Sequence, residues 1–192
     1  MRITGGQWRS RSILMPPSEA VRPTQDRVRE ALFNLLMYVL PGARFLDLFA
    51  GSGATGLDAL SRGASEATFL ECDRTVFKTL LKNLAAFEVP ATCAHLMDTM
   101  RWLMMPVSAP YDIVFADPPY QWSQAGGMEE VARLLVERGL LREGGTLVAE
   151  TDCRTKAVEF SGYELVRDRL YGKTRLAVYR CHPALSQSSA TV

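Results

Sequence analysis

Arg44-Phe45-Leu46-Asp47-Leu48-Phe49-Ala50-Gly51-Ser52-Gly53-Ala54-Thr55-Gly56 compresses a strand, a turn and the start of a helix into one short stretch. The run Arg44–Phe49 reads as a buried strand and Ala54–Arg62 as a helix. Between them lies a G-x-G-x-x-G loop. Its first glycine permits a tight turn, its second lets a ligand approach the backbone, and its third allows close helix–strand packing. By itself the loop fits a plain strand-to-helix turn as well as a nucleotide site.

The same alternation continues outward. Strands are predicted at Ala67–Leu70, Ala91–Leu96, Tyr111–Ala116 and Thr146–Glu150, and helices at Thr75–Phe87, Thr99–Met104 and Met128–Arg138. Residues 163–169 and 174–180 read as a closing hairpin. Upstream, Thr24 is placed to cap a helix over about 25–39, ended by Pro41-Gly42. Strands separated by helices predict an α/β fold, a mostly parallel sheet covered on both faces. The domain reading is a basic arm and helix over 1–40, a main domain over 41–183, and a frayed tail over 184–192.

A second motif sits where such a sheet binds ligands, beyond the carboxyl ends of its strands. Asp117-Pro118-Pro119-Tyr120 directly follows the strand Tyr111–Ala116. Neither proline can extend a ladder, so the chain stops rigidly with a carboxylate, a free carbonyl and an aromatic ring together. That group suits a planar amine, with two acceptors for its N–H bonds and the Tyr120 ring to stack on its base. Trp8 and Trp122 are further stacking candidates or packing residues. Gln121–Gly127 reads as a lid or an ordinary loop.

Acids surround the glycine loop in sequence. Glu71 ends the second strand 20 residues after Gly51, the place for a ribose-binding acid, with Asp73 beside it as a helix cap. Asp98 follows the third strand, as an acceptor for an adenine amine or another cap. Asp47 lies inside a hydrophobic strand just before the loop. A pyrophosphate there would be repelled, whereas a cationic cofactor such as a sulfonium would tolerate or welcome it; the alternative is an acid bonded to nearby backbone N–H groups.

Composition narrows the classes. The chain has 192 residues, 47% of them hydrophobic, enough for an ordinary core. No run reaches membrane-span length and no apolar leader opens the chain. Cys72, Cys93, Cys153 and Cys181 are widely spaced and there are two histidines, which argues against a metal site or a disulfide framework. The formal charge of +1 hides an asymmetry: residues 1–29 carry six arginines against two acids. Arg2, Arg9, Arg11, Arg22, Arg27 and Arg29 therefore suggest a polyanionic partner, with pairing of Arg22 or Arg27 to acids of the body as the alternative.

These residues resemble class I S-adenosylmethionine-dependent methyltransferases: Asp47–Gly56 is similar to their first motif and Asp117–Tyr120 to their amino-methyltransferase motif. Arg2-Ile3-Thr4-Gly5-Gly6, Arg9-Ser10-Arg11 and the run Arg22-Pro23-Thr24-Gln25-Asp26-Arg27-Val28-Arg29-Glu30-Ala31-Leu32-Phe33-Asn34 resemble the RsmD family over about residues 2–180. One departure is Ser10, where the family typically has Gly.

The resemblance implies a Rossmann-like, seven-stranded sheet with one antiparallel strand. It implies S-adenosylmethionine as cofactor, with Asp47, Gly51, Ser52, Gly53 and Gly56 around its methionine moiety, Glu71 on the ribose and Asp98 on the adenine amine. It implies methyl transfer to the exocyclic N2 of one guanine in 16S ribosomal RNA, in a partly assembled small subunit, with Asp117, the Pro118 carbonyl and Tyr120 receiving the base. A cytoplasmic, monomeric enzyme without a metal is expected. The rival readings are an N6-adenine methyltransferase on DNA or another RNA, a nicotinamide-dependent oxidoreductase, and a non-catalytic RNA-binding module. The oxidoreductase leaves Asp47 and Asp117–Tyr120 unexplained.

Overall fold

The computed structural model describes residues 1–16, 26–119, 122 and 126–182. Thr24, Arg22, Tyr120, most of the predicted lid and the tail from 183 lie outside them. Helices α1 (Asp26–Leu36), α2 (Ala54–Ser61), α3 (Arg74–Ala86), α4 (Thr99–Leu103) and α5 (Gly127–Glu137) alternate with strands β1 (Arg44–Asp47), β2 (Glu66–Glu71), β3 (Ala94–Leu96), β4 (Tyr111–Ala116) and β5 (Leu141–Asp152). Strands β6 (Tyr163–Tyr171) and β7 (Thr174–Cys181) close the chain.

The seven strands form one sheet in the order β3-β2-β1-β4-β5-β7-β6. Strands β1 to β5 pair in parallel, while β7 runs antiparallel to both β5 and β6. This is the expected mixed sheet with a single reversed strand. The order turns back between β1 and β4, so the carboxyl ends of these neighbours flank the topological switch point, where open α/β sheets bind ligands.

Alternate residues along each strand supply two cores. Phe45, Phe69, Ile113, Phe115, Val148, Leu176 and Val178 face the layer holding α1, α2 and α3. Leu46, Leu70, Val114, Leu147, Ala149, Ala177 and Tyr179 face α4 and α5. The period of two places both sets without conflict, and burial on both faces explains why the central strands read as continuous apolar runs.

Three boundaries differ from expectation for local reasons. Helix α1 closes at Leu36, whose carbonyl accepts from both Val39 and Leu40, leaving Met37, Tyr38 and Val39 exposed. Strand β5 begins at Leu141 because Gly144, at φ 70°, lies in an irregularity where the register with β4 shifts, and the ladder survives it. The third strand is shortened by a 3-10 turn over Ala91–Cys93.

The arm is a folded hairpin over the residues described. Arg2 and Ser12 form an antiparallel bridge around a 3-10 turn at Gly6–Trp8. Ile3 and Ile13 are buried in the same core as Val28, Leu32 and Phe33 of α1. The boundary at residue 40 thus marks a change of composition, while packing runs through it.

Candidate active site

Asp47 is the last residue of β1, and the register pairs it with Phe115, two residues before Asp117. It is 1% exposed, and neither carboxylate oxygen has a hydrogen-bond partner among the described residues. Burial pushes its pKa up to about 7, with Asp117 and Glu71 adding to the rise. The amides of Phe49 and Gly56 lie near enough to moderate the shift, but neither makes a hydrogen bond of ordinary geometry. A buried, orphaned carboxylate is costly unless a donor or cation meets it. Three acids converging on one loop suit a positively charged ligand and oppose a pyrophosphate.

The loop after β1 is shaped by its glycines. Gly51 and Gly53 take φ of 54° and 83°, left-handed values that favour glycine. A Cβ on Gly56 would lie 2.2 Å from the Phe69 ring, so α2 rests directly on β2. Ser52 is buried within the turn. Gly51 and Gly56 thus take the turn and the close helix–strand packing that the spacing predicted, whereas a Cβ on Gly53 would lie 2.5 Å from Leu80, and α2 opens at Gly53 without a side-chain cap.

Glu71 ends β2 and braces this loop. Its Oε2 accepts from the Gly51 amide at 3.0 Å and its Oε1 from the Asp73 amide at 2.7 Å. Each oxygen keeps a second lone pair. Asp73 caps α3, accepting from Thr75 and Val76. Asp98 caps α4 through Oδ1, which accepts from Arg101 at 3.0 Å, and it is exposed. The Met97 amide donates to the Glu71 carbonyl, so the ends of β2 and β3 are tied side by side. Both Glu71 and Asp98 raise the Cys72 thiol pKa, after burial, which places the two carboxylates on one rim.

At the end of β4, Asp117 is half-buried, Pro118 buried and Pro119 exposed. The Pro119 carbonyl accepts from the Trp122 amide at 2.9 Å, and Trp122 packs edge-on against Phe49 at 5.1 Å. Trp8 packs on Phe87 at 5.1 Å. Both tryptophans serve as packing residues here, so Tyr120 is left as the stacking candidate, outside the described residues. Asp47, the glycine loop, Glu71 and Asp117 are therefore brought together, with Asp98 on the adjoining rim.

The arginines divide. Arg2, Arg9, Arg11 and Arg27 are exposed. Arg2 lies 3.5 Å from Asp26, and Arg11 sits over the Phe87 ring while donating to the Ala86 carbonyl. Arg29 departs from expectation as a phosphate contact. It is fully buried, and its Nε lies 3.1 Å from the equally buried Asp58. Its guanidinium also donates to the Arg2 carbonyl and to Asp26, so it welds α1 to the hairpin and is sealed from RNA.

Two positioning residues carried no motif. Asp58 of α2 accepts from the Thr4 amide and hydroxyl, the Gly5 amide, Arg29 and Arg62. Asn83 of α3 donates to the Ser52 carbonyl at 2.8 Å and to the Leu14 carbonyl at 3.0 Å, and accepts from the Leu14 amide at 2.9 Å. Each was visible only as a lone polar residue in an apolar helical stripe.

A family model described as "Conserved hypothetical protein 95" matches residues 1–180. The chain is 39% identical over 181 residues to the ribosomal RNA small subunit methyltransferase D of Escherichia coli (strain K12), covering 94% of this chain and 89% of that protein. It is 36% identical over 183 residues to the protein of the same name from Haemophilus influenzae, covering 94% and 93%. Among solved structures, an Escherichia coli protein provisionally named a methyltransferase superposes with a TM-score of 0.83 at 38% identity, covering 95% of this chain and 98% of that one.

Proposed function

The chain belongs to the family described as Conserved hypothetical protein 95, the RsmD family, and from that premise we propose that it methylates the exocyclic N2 amine of a guanine in 16S ribosomal RNA. The observation that carries this reading is the buried Asp47 carboxylate, without a hydrogen-bond partner among the described residues, beneath a glycine loop and beside Asp117-Pro118 at the switch point. The donor set fits S-adenosylmethionine, which supplies an electrophilic methyl group on a cationic sulfur. Asp47, Gly51, Ser52, Gly53 and Gly56 would surround its charged methionine end, Glu71 would accept from the ribose hydroxyls and Asp98 from the adenine amine.

Guanine N2 is a weak nucleophile because its lone pair is delocalised into the ring. The Asp117 carboxylate and the Pro118 carbonyl would accept its two N–H bonds, favouring a pyramidal nitrogen and stabilising the positive charge that develops on attack. Tyr120 would stack on the base once it leaves its own stack. Fixing the amine in line with the methyl group supplies the orientation term. The methylated nitrogen is acidic, so proton loss can follow transfer, and Asp117 acts foremost as an acceptor. Asp117→Ala is expected to lower turnover at least about a hundredfold while S-adenosylhomocysteine binding persists. Turnover near that of the unaltered protein would sink the assignment.

Arg2, Arg9, Arg11, Arg22 and Arg27 would hold RNA phosphates, in a partly assembled small subunit whose proteins complete the recognition surface. In this reading the enzyme acts as a monomer in the cytoplasm, where such particles are built. Among the described residues no helix is long and apolar enough to cross a membrane, and no cluster of His, Cys, Asp or Glu could hold a metal ion. The test is transfer of labelled methyl to unmodified small ribosomal subunits, with the product nucleoside identified by mass. N2-methylguanosine at one site supports the reading, and label on adenine replaces it with N6 chemistry.

A further inference from the structure

Positive charge is concentrated at both ends of the chain. Residues 153–182 hold seven Lys+Arg against three acids, a balance of +4, whereas residues 30–152 hold nine against sixteen, a balance of −7. The C-terminal share lies on the β6–β7 hairpin and the loop leading to it. β6 is the edge of the sheet, paired only with β7 among the described residues.

The register fixes where its arginines point. Arg167 pairs with Val178 and Arg169 with Leu176, and both partners face the layer holding α1 and the N-terminal hairpin. Directly opposed residues share a face, so Arg167 and Arg169 rise on that same side of the sheet. Both are exposed. The Arg167 guanidinium donates to the Val166 carbonyl at 2.8 Å and that of Arg169 to the Asp168 carbonyl at 3.0 Å; neither has a carboxylate partner among the described residues. Asp168 pairs instead with Arg175. The hairpin tip carries exposed Lys173. Thr174 pairs with Asp152, the last residue of β5, so the tip stands at the carboxyl end of the parallel strands, the end that holds the active site.

We propose that Arg167, Arg169 and Lys173 form a second phosphate-binding surface, which holds the substrate RNA on the opposite flank of the active site from the N-terminal arm. This rests on the RNA methyltransferase reading. Edge strands are also protected by charge of either sign against pairing with another chain. Protection alone explains a charged edge but not the one-sided excess of cations, their lack of acidic partners, or their run toward the active-site end. An RNA backbone is the polyanion that complements all three.

The experiment uses the full chain and unmodified small ribosomal subunits. Arg167→Glu/Arg169→Glu is expected to raise KM for the particle about tenfold or more, leaving kcat and the affinity for S-adenosylhomocysteine within about twofold. Arg167→Ala/Arg169→Ala should reduce the slope of log K for RNA binding against log salt by about 1.4–1.8, the release expected for two phosphates. Arg167→Lys/Arg169→Lys should restore most of the lost affinity. An unchanged KM and an unchanged salt slope, in a protein of unaltered melting temperature, overturn the proposal. Absence of methyl transfer by the unaltered protein would instead overturn the proposed reaction, while the binding slope would still decide the fate of this surface.

Discussion

A single carboxylate sets much of the site's behaviour. Asp47 ionises near pH 3.8 when free in the chain but at about 7 when buried in the folded protein. The folded state therefore holds its proton longer than the unfolded state, and stability falls as pH rises from about 4 to about 7. The span corresponds to a cost on the order of 4 kcal/mol in the ligand-free protein. Asp47→Asn should flatten that decline in denaturant titrations across the same window, while weakening binding of the cationic cofactor. Cofactor affinity of the unaltered protein should rise between pH 6 and 8, with proton release detectable by calorimetry in buffers of different ionisation heat. Flat affinity would show that Asp47 does not meet the cation. Ser10 is the second residue of consequence. It sits at φ 70°, between Arg9 and Arg11, a left-handed value that favours glycine. A non-glycine residue there costs about 1–2 kcal/mol, partly offset by the extra unfolded-state entropy of glycine. Ser10→Gly should raise the melting temperature by about 1–3 °C, and a fall would show that the Ser10 side chain contributes more than its backbone costs.

Between elements, the buried Arg29–Asp58 pair joins α1, α2 and the hairpin. Asp58→Asn removes one of two carboxylates around the buried Arg29, leaving the half-buried Asp26, so it is expected to cost about 2–3 kcal/mol, read as a shift of the denaturation midpoint. Asn83 works on a smaller scale. Asn83→Leu would leave the Leu14 amide and carbonyl and the Ser52 carbonyl without their partners, loosening the cofactor loop from behind. Cofactor affinity should fall about tenfold while kcat at saturation changes little, a split that general loss of packing would not produce. The elements themselves were legible because period and punctuation agreed: the run Ile113–Ala116 ended by two prolines, and the glycines around Ser52, admit one local structure. The links between elements were not legible. Apart from Arg62 one turn away, Asp58 acts through partners 29 to 54 residues away and Asn83 through partners 31 to 69 residues away, and no local pattern encodes such distant contacts. Arg29 shows the same limit, since composition counts its charge but cannot see the carboxylate that neutralises it.

Across the whole molecule, the sheet order places an acidic centre between two cationic flanks. A seven-stranded, mostly parallel sheet was foreseeable once the strand-and-helix alternation was joined to the resemblance, and β7 is its one antiparallel strand. The separation of residues 1–40 from the main domain was the weaker inference, because arginine-rich composition resembles a free arm even where Ile3 and Ile13 are buried. The described part of that arm is fastened by Asp58, Ser61 and Asn83, all of them synthesised after it. At about 5–20 residues per second, roughly 4–17 s separate the first residue from the last of these fasteners. Until α2 and α3 follow, the hairpin has its contacts with Asp26 and Arg29 of α1 but lacks these fasteners. The order of translation thus leaves Ile3 and Ile13, buried in the finished protein, waiting on α2 and α3 for the hydrogen bonds that fasten the hairpin around them.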